Sequence, residues 1–118
     1  MSRNRLTVIA VIVALFLVAG GFLAVRGAGG GGKAVSVDLK VSGATMTPAN
    51  PAVHLNDSVT MTITTDRDEE IHLHGYDIPF VCKAGQPLTR TFKADKTGRY
   101  DLEIEATSQP VGTFTVSP

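Results

Sequence analysis

The chain consists of one long apolar segment followed by short segments in which apolar and polar residues alternate. Residues 6–25 are apolar except for Thr7, and a helix of that length crosses about 30 Å of hydrocarbon. After residue 34 the apolar positions recur with a period of two rather than 3.6, which is typical of strands with one wet face. The pattern predicts one N-terminal transmembrane helix over residues 6–25 and a β-structured domain over residues 35–118.

Alternation is clearest in residues 35–41, 59–63 and 100–104, where β-branched and aromatic residues are frequent. Pro, Gly, Asn and Asp separate these segments at a spacing of roughly 8 to 12 residues, which is typical of a β-sandwich. We therefore expect an all-β sandwich of about seven strands, with no helix longer than a turn or two after residue 33. The apolar face formed by Tyr100, Leu102 and Ile104 is expected to be buried.

The charges around the apolar segment predict how the chain is oriented. Arg3 and Arg5 precede it, and positive residues favour the cytoplasmic side, so we expect residues 1–5 to be a cytoplasmic tail and the domain to be extracytoplasmic. The full spanning length favours an uncleaved signal anchor over a signal peptide, whose apolar core has about 7 to 15 residues. Cleavage near residues 27–29 is the alternative. Residues 26–34 form a Gly-rich flexible linker. The protein is thus predicted to be a single-pass protein of the cell membrane.

The charge of the domain and the absence of catalytic motifs argue against two classes of function, nucleic-acid binding and enzymatic activity. The formal net charge of the whole chain is zero. Four of the eleven basic residues precede residue 34, whereas all eleven acidic residues follow it. The domain therefore has seven positive and eleven negative side chains and a formal charge of −4. An acidic domain without a basic stripe disfavours a nucleic-acid partner. No nucleophile elbow and no phosphate-binding loop is present, and we expect no enzymatic activity.

The order of several motifs resembles that of the cupredoxins. The resemblance covers nearly all of residues 35–118. It rests on five features in this order: Asn56-Asp57-Ser58-Val59, His72, Ala84-Gly85-Gln86 before Phe92, Gly98-Arg99-Tyr100, and the closing segment Gly112-Thr113-Phe114-Thr115-Val116. This resemblance implies a Greek-key β-sandwich and a link to copper.

The chain departs from blue-copper cupredoxins at the metal loop. In those proteins the strand after Gly-x-Tyr ends in a cysteine, and the next loop carries histidine and usually methionine. Here the position of the cysteine is Ile104, and residues 105–111 contain no His, Cys or Met. The chain is instead similar to small extracytoplasmic cupredoxin-like domains with a His-x-His-Gly-Tyr-Asp run and no blue-copper loop.

The segment Glu69-Glu70-Ile71-His72-Leu73-His74-Gly75-Tyr76-Asp77 carries the candidate chemistry. On a strand, Glu70, His72, His74 and Tyr76 share one face, and the apolar Ile71 and Leu73 face the core. Two imidazoles about 7 Å apart on one face can bind Cu(II) or Zn(II), and Glu70 can add an oxygen ligand. The alternative is a solvated strand face that holds no metal.

The remaining candidate ligands are better explained as structural residues. Cys82 lies in an apolar segment and is expected in the core, as are Met46 and Met61. His54 is expected at a strand edge or turn, and the acidic run that begins at Asp66 is expected to be a solvated turn.

Two functional hypotheses follow. In the first, a membrane-tethered cupredoxin-like domain binds copper or another transition metal weakly through His72, His74 and Glu70 and serves metal handling. In the second, the domain holds no metal and is an accessory module that docks onto a membrane or cell-envelope protein.

Overall fold

The computed structural model describes residues 32–118. The predicted tail, the predicted anchor at residues 6–25 and most of the linker lie outside the described residues. Residues 32–118 include no helix that could span a membrane. The described chain forms nine strands: β1 (Ala34–Ser42), β2 (Thr45–Thr47), β3 (Ala52–His54), β4 (Ser58–Thr65), β5 (Glu69–Leu73), β6 (Ile78–Cys82), β7 (Leu88–Lys93), β8 (Gly98–Ile104) and β9 (Gln109–Ser117).

The strands form two sheets, which confirms the predicted all-β class. One sheet has the order β2-β1-β4-β7 and the other has the order β3-β9-β8-β5-β6. Strand β1 runs parallel to β4 and β3 runs parallel to β9, whereas the other pairs are antiparallel. The described residues contain two strands more than the predicted seven. The additional strands β2 and β3 have three residues each, too short to show an alternating pattern.

The core lies between the two sheets and follows the predicted alternation. Leu39, Met61 and Ile63 are fully buried on one sheet, and Leu73 and Phe114 are fully buried on the other. Alternate positions on each strand face solvent, because successive side chains of a strand point to opposite faces. This pattern confirms the core assignment of the alternating segments.

Three specific core predictions can be compared with the structure. Met46, Met61 and Cys82 are buried, as expected. Leu102 is fully buried, whereas Tyr100 and Ile104 are half-buried and pack against the edge of the core. Burial raises the pKa of the Cys82 thiol above its usual value, so this cysteine is a core residue with little thiolate character.

Strand β5 is the element that carries the candidate site. It lies between β6 and β8 and pairs with both. Its residue His72 lies opposite Pro79 of β6 and Glu103 of β8. Cross-strand partners share a face of the sheet, so the outer face of β5 and β8 brings the histidines together with the polar residues of β8.

Candidate metal centre

The two histidines lie together on the outer face of the five-stranded sheet. Ile71 and Leu73 are buried on the opposite face, which confirms the predicted strand parity. The ring centroids of His72 and His74 are 4.7 Å apart, and the rings are nearly perpendicular, at 79°. The spacing of about 7 Å applies to the backbone positions of alternate strand residues, and the side chains bring the two rings closer together than that.

Each imidazole is paired with a carboxylate through its Nε2 atom. His74 Nε2 lies 2.8 Å from Glu103 Oε1, and His72 Nε2 lies 2.9 Å from Asp77 Oδ1. A third carboxylate is farther away, because Glu105 Oε1 lies 3.9 Å from His72 Nδ1. The site therefore contains two imidazoles and three carboxylates from β5, from β8 and from the turns that follow them.

Burial divides the site into an inner and an outer part. The side chains of His72 and Glu103 are 18% and 17% exposed, whereas those of His74 and Glu105 are 47% and 55% exposed. His72 Nδ1 is buried and has no hydrogen-bond partner within residues 32–118. Buried polar atoms in proteins are normally paired, so this nitrogen is the atom of the site that most needs a partner.

Glu70 shares the face of His72 because the two residues alternate along β5. The carboxylates that lie next to the imidazoles, however, belong to other residues. The Glu70 backbone oxygen accepts a hydrogen bond of 2.9 Å from the Glu105 amide. Its carboxylate makes no ion pair or side-chain hydrogen bond within the described part of the chain. The assignment of Glu70 as the oxygen ligand stays a prediction.

The acids that contact the histidines were not predicted from the sequence. The alternation of Asp101, Glu103 and Glu105 along β8 showed that these side chains share a polar face. The register of β8 on β5 is set by contacts about thirty residues apart in the chain, and the alternation alone does not specify that register.

The turn after β5 positions one of these acids and corrects one prediction. Gly75 and Asp77 have φ angles of 83° and 55°, so strand parity does not continue to Tyr76. The expectation that Tyr76 shares the histidine face is therefore wrong. Its ring packs towards the core, with its centroid 5.0 Å from that of Tyr100 and 6.0 Å from that of Phe114.

Hydrogen bonds hold this turn against the loop before β8. The Tyr76 hydroxyl donates to the Lys96 carbonyl oxygen at 2.8 Å and accepts from the Lys96 amide at 3.0 Å. The Lys96 Nζ donates to the Gly75 carbonyl oxygen. Burial raises the pKa of the Tyr76 hydroxyl, which keeps it protonated and able to donate. These contacts with Lys96 anchor the middle of the turn that carries His74 and Asp77.

The other candidate residues have structural surroundings. His54 ends β3 and is exposed, as expected for an edge histidine. In the acidic run, the Asp66 carboxylate accepts from the Gly43 amide at 3.2 Å, and that bond is the main cause of the lowered pKa of Asp66. Asp68 accepts from the Ala84 amide at 2.9 Å. The carboxylates of Asp66 and Asp68 thus stabilise turns by accepting hydrogen bonds from backbone amides.

The residues at the blue-copper position do not fit a type 1 centre. Ile104 is half-buried at the end of β8, and the turn that follows it offers no thiolate, thioether or imidazole. Cys82 faces the core beneath β5, its Sγ 4.0 Å from the Ile63 carbonyl oxygen, on the opposite side of the sheet from His72. Residues 32–118 contain no group of three or more His, Cys, Asp or Glu arranged to hold a metal ion.

The donor atoms of the histidine cluster are nitrogen and oxygen. Its buried, unpaired His72 Nδ1 is a nitrogen donor, and its other donors are the second imidazole and carboxylate oxygens. Such nitrogen and oxygen donors suit Cu(II) or Zn(II), whereas Cu(I) prefers thiolate and thioether ligands.

Comparison with known proteins identifies the fold. No protein-family model and no curated protein sequence matches the chain. The metal-binding domain of the Cu(I)-exporting P-type ATPase CopA of Streptococcus pneumoniae D39 is 16% identical over 70% of this chain and 85% of that chain, with a TM-score of 0.61. Auracyanin of Roseiflexus castenholzii is 14% identical over 70% and 97%, with a TM-score of 0.52.

A third similar chain comes from a larger assembly, the structure of a heme-copper terminal oxidase dimer. It is 13% identical over 99% of this chain and 100% of that chain, with a TM-score of 0.60. These similarities agree with the two-sheet topology and with the order of motifs in the sequence. The chain therefore has a cupredoxin-like fold.

Proposed function

We propose that this domain binds divalent copper through His72 and His74 and serves metal handling rather than electron transfer. The observation that carries the proposal is the pair of imidazoles 4.7 Å apart on one sheet face, each held through Nε2 by a carboxylate. The similar metal-binding domain of CopA, whose structure contains Cu(I), supports copper as the metal. The nitrogen and oxygen donors favour the divalent state.

The exposure of the site supports exchangeable binding. His74 is about half exposed and two imidazoles supply the strong donors, so an ion at this site keeps open coordination positions. A protein that passes metal to another carrier needs such a position, whereas a stable structural site is closed. The proposal therefore describes a binding protein and assigns no catalytic step.

The proposal includes attachment to the membrane through residues 6–25. The apolar length of that segment supports a single-pass anchor, and the preceding arginines support an extracytoplasmic domain. The glycines after it provide a flexible tether, which would let the copper site reach a donor or acceptor near the membrane surface.

Calorimetric titration of the full chain with Cu(II) tests the proposal. Wild type should bind one equivalent, and His72→Ala and His74→Ala should each weaken binding at least about tenfold because each removes a strong donor. His54→Ala is the matched control, since His54 is exposed on a different strand, and should leave the affinity unchanged. Equal affinities in all four proteins would contradict the proposal.

A second candidate is the accessory module that docks onto a membrane or envelope protein without metal. It is supported by the similar chain in the heme-copper terminal oxidase dimer, which matches over the full length of both chains. Purification from native membranes under mild detergent distinguishes the candidates. A stoichiometric protein partner retained by the His72→Ala variant and by wild type alike would support docking that does not need the metal.

A further inference from the structure

We propose that the outer face of β5, β6 and β8 docks a basic segment of a membrane or cell-envelope protein. This surface is called the acidic face, because five carboxylates lie on or beside it: Glu70, Asp77, Asp101, Glu103 and Glu105. The inference rests on the second candidate function, the accessory module, and adds to it the docking surface and the chemistry of the partner. It requires no bound metal.

The acidic face holds the net charge of the whole domain. From residue 34 onward the domain has eleven acidic and seven basic residues, and this face has five of the acidic residues and one basic residue, Arg99. The rest of the domain contains six acidic and six basic residues and is therefore neutral overall. A face with charge of one sign attracts a partner of the opposite sign and rejects a partner of the same sign.

An exposed apolar contact lies on the same face. Val81 is 57% exposed and is the only large hydrophobic residue that is exposed within residues 32–118. It lies on β6 opposite Glu70, and the exposed Pro79 lies opposite His72. Cross-strand partners share a face of the sheet, so Val81 and Pro79 border the carboxylates. An apolar contact bordered by polar groups is typical of protein–protein interfaces.

The partner is expected to contact the face of the sheet and not to extend its edge. Strand β6 is an edge strand of this sheet, and an added strand would need its free backbone groups. Pro79 has no N–H, and its carbonyl oxygen accepts a hydrogen bond of 3.3 Å from Arg90 Nε. The free edge is therefore blocked at Pro79.

The outer face of the four-stranded sheet differs from the acidic face and provides a control surface. Its threonine hydroxyls pair with each other across β4 and β7, for example Thr62 with Thr89 at 2.8 Å. On β1, the exposed Asp38 and Lys40 have opposite charges. This outer face therefore has no excess of negative charge among the described residues.

The point at which the chain enters the domain places the acidic face near the membrane. The Lys33 amide donates to Asp57 Oδ1 at 3.0 Å, and the Ala94 amide donates to the Asp57 carbonyl oxygen at 2.8 Å. Two residues later, Lys96 contacts the Tyr76 hydroxyl in the turn beside the acidic face. Residues 26–31 link this end of the sandwich to the predicted anchor and span at most about 20 Å. A partner in the same membrane is therefore within reach.

The sign of the charge selects a protein over the lipid surface. Anionic lipid headgroups attract basic segments and repel an acidic face. Lys and Arg side chains of a protein segment would instead complement the carboxylates, and an apolar side chain of the same segment would cover Val81.

Nitrogen-15 NMR of the full chain in nonionic detergent, titrated with a decalysine peptide, tests the charge complementarity. The amide shifts of wild type should be confined to β5, β6 and β8. Asp101→Lys should weaken binding about fivefold, because an attraction becomes a repulsion. Asp38→Lys is the matched control, since it makes the same change in charge on the other sheet, and should leave binding nearly unchanged. Equal weakening by both variants, or shifts on both sheets, would overturn the inference.

Photocross-linking in native membranes tests the nature of the partner. A benzoylphenylalanine in place of Val81 should cross-link to one protein, through a segment rich in Lys and Arg. The same group in place of Thr91, which is exposed on the other sheet, should not cross-link to that protein. Cross-links from Val81 to lipid alone, to an acidic segment or to nothing would overturn the inference.

These results distinguish the docking surface from the docking function. If mild detergent retains a stoichiometric partner that cross-links from Thr91 and not from Val81, the function stands and the acidic face is wrong. If no partner is retained and Val81 cross-links to no protein, the docking function is wrong as well. Each variant should keep the thermal midpoint of wild type, and the wild-type shift map locates the binding surface if a variant unfolds early.

Discussion

At the scale of single residues, Glu69 is a group whose environment disfavours its charge. Burial raises the pKa of its carboxyl group, an effect that the nearby Arg67 opposes and Asp66 reinforces. One carboxylate oxygen is buried without a hydrogen-bond partner in the described residues. Its cross-strand partner is the buried Cys82, which offers little compensation for a negative charge.

Glu69→Gln is expected to stabilise the domain at neutral pH. The folded-state pKa of Glu69 lies above its unfolded value. Its contribution to the free energy of unfolding is therefore complete below the unfolded pKa and is lost as pH rises through the folded pKa. Replacing the ionisable group removes that loss. The gain in thermal midpoint of Glu69→Gln over wild type should be larger at pH 7 than at pH 4, with Glu70→Gln as control. A gain independent of pH would contradict the account.

At the scale of elements, the sequence predicted the long strands well and the short ones poorly. The alternation in residues 35–41 and 59–63 identified β1 and β4, since half-buried strands must alternate. Strands β2 and β3 each bury one side chain, Met46 and Val53, and a single buried residue leaves no period. The histidine pair was visible because it is local, whereas its partners Glu103 and Glu105 depended on pairing between distant strands.

The turn between β5 and β6 is the element on which the site depends most. Gly75 has a φ of 83°, and a Cβ at this position would overlap the Tyr100 ring. Gly85 has a φ of 74° with open space around it. Gly85→Ala should therefore cost only the backbone strain of about 1–3 kcal/mol. Gly75→Ala should cost about 1–3 kcal/mol more, because the added atom must displace a ring.

Chemical denaturation of the two glycine variants measures this difference directly. The same turn carries His74 and Asp77, so Gly75→Ala should also weaken Cu(II) binding, whereas Gly85→Ala should not. Equal free energies of unfolding for the two variants would mean that Tyr100 does not constrain the turn.

At the scale of the whole molecule, the chain combines an apolar N-terminal segment with an acidic sandwich. The domain from residue 34 onward carries a formal charge of −4, which favours solubility and attracts cations to its surface. Five carboxylates lie on or beside the face of β5 and β8 that carries the histidines: Glu70, Asp77, Asp101, Glu103 and Glu105. This charge would raise the local concentration of a divalent ion at the proposed site.

Membrane attachment is tested by extraction with alkaline carbonate, which releases peripheral proteins and leaves spanning ones in the membrane. The full chain should remain in the membrane pellet because residues 6–25 are long enough to span. A variant that lacks residues 6–25 should be soluble and should keep the thermal midpoint of the folded domain. Complete release of the full chain by carbonate would contradict the anchor.

Electron paramagnetic resonance of the Cu(II)-loaded full chain shows whether His72 and His74 hold the metal. We expect a tetragonal Cu(II) spectrum with splitting from imidazole nitrogens and no intense visible charge-transfer band, because the site offers nitrogen and oxygen donors and no thiolate. The double variant His72→Ala/His74→Ala should lose this spectrum. An unchanged spectrum in the double variant, or a strongly blue protein that has recruited Cys82, would contradict the account.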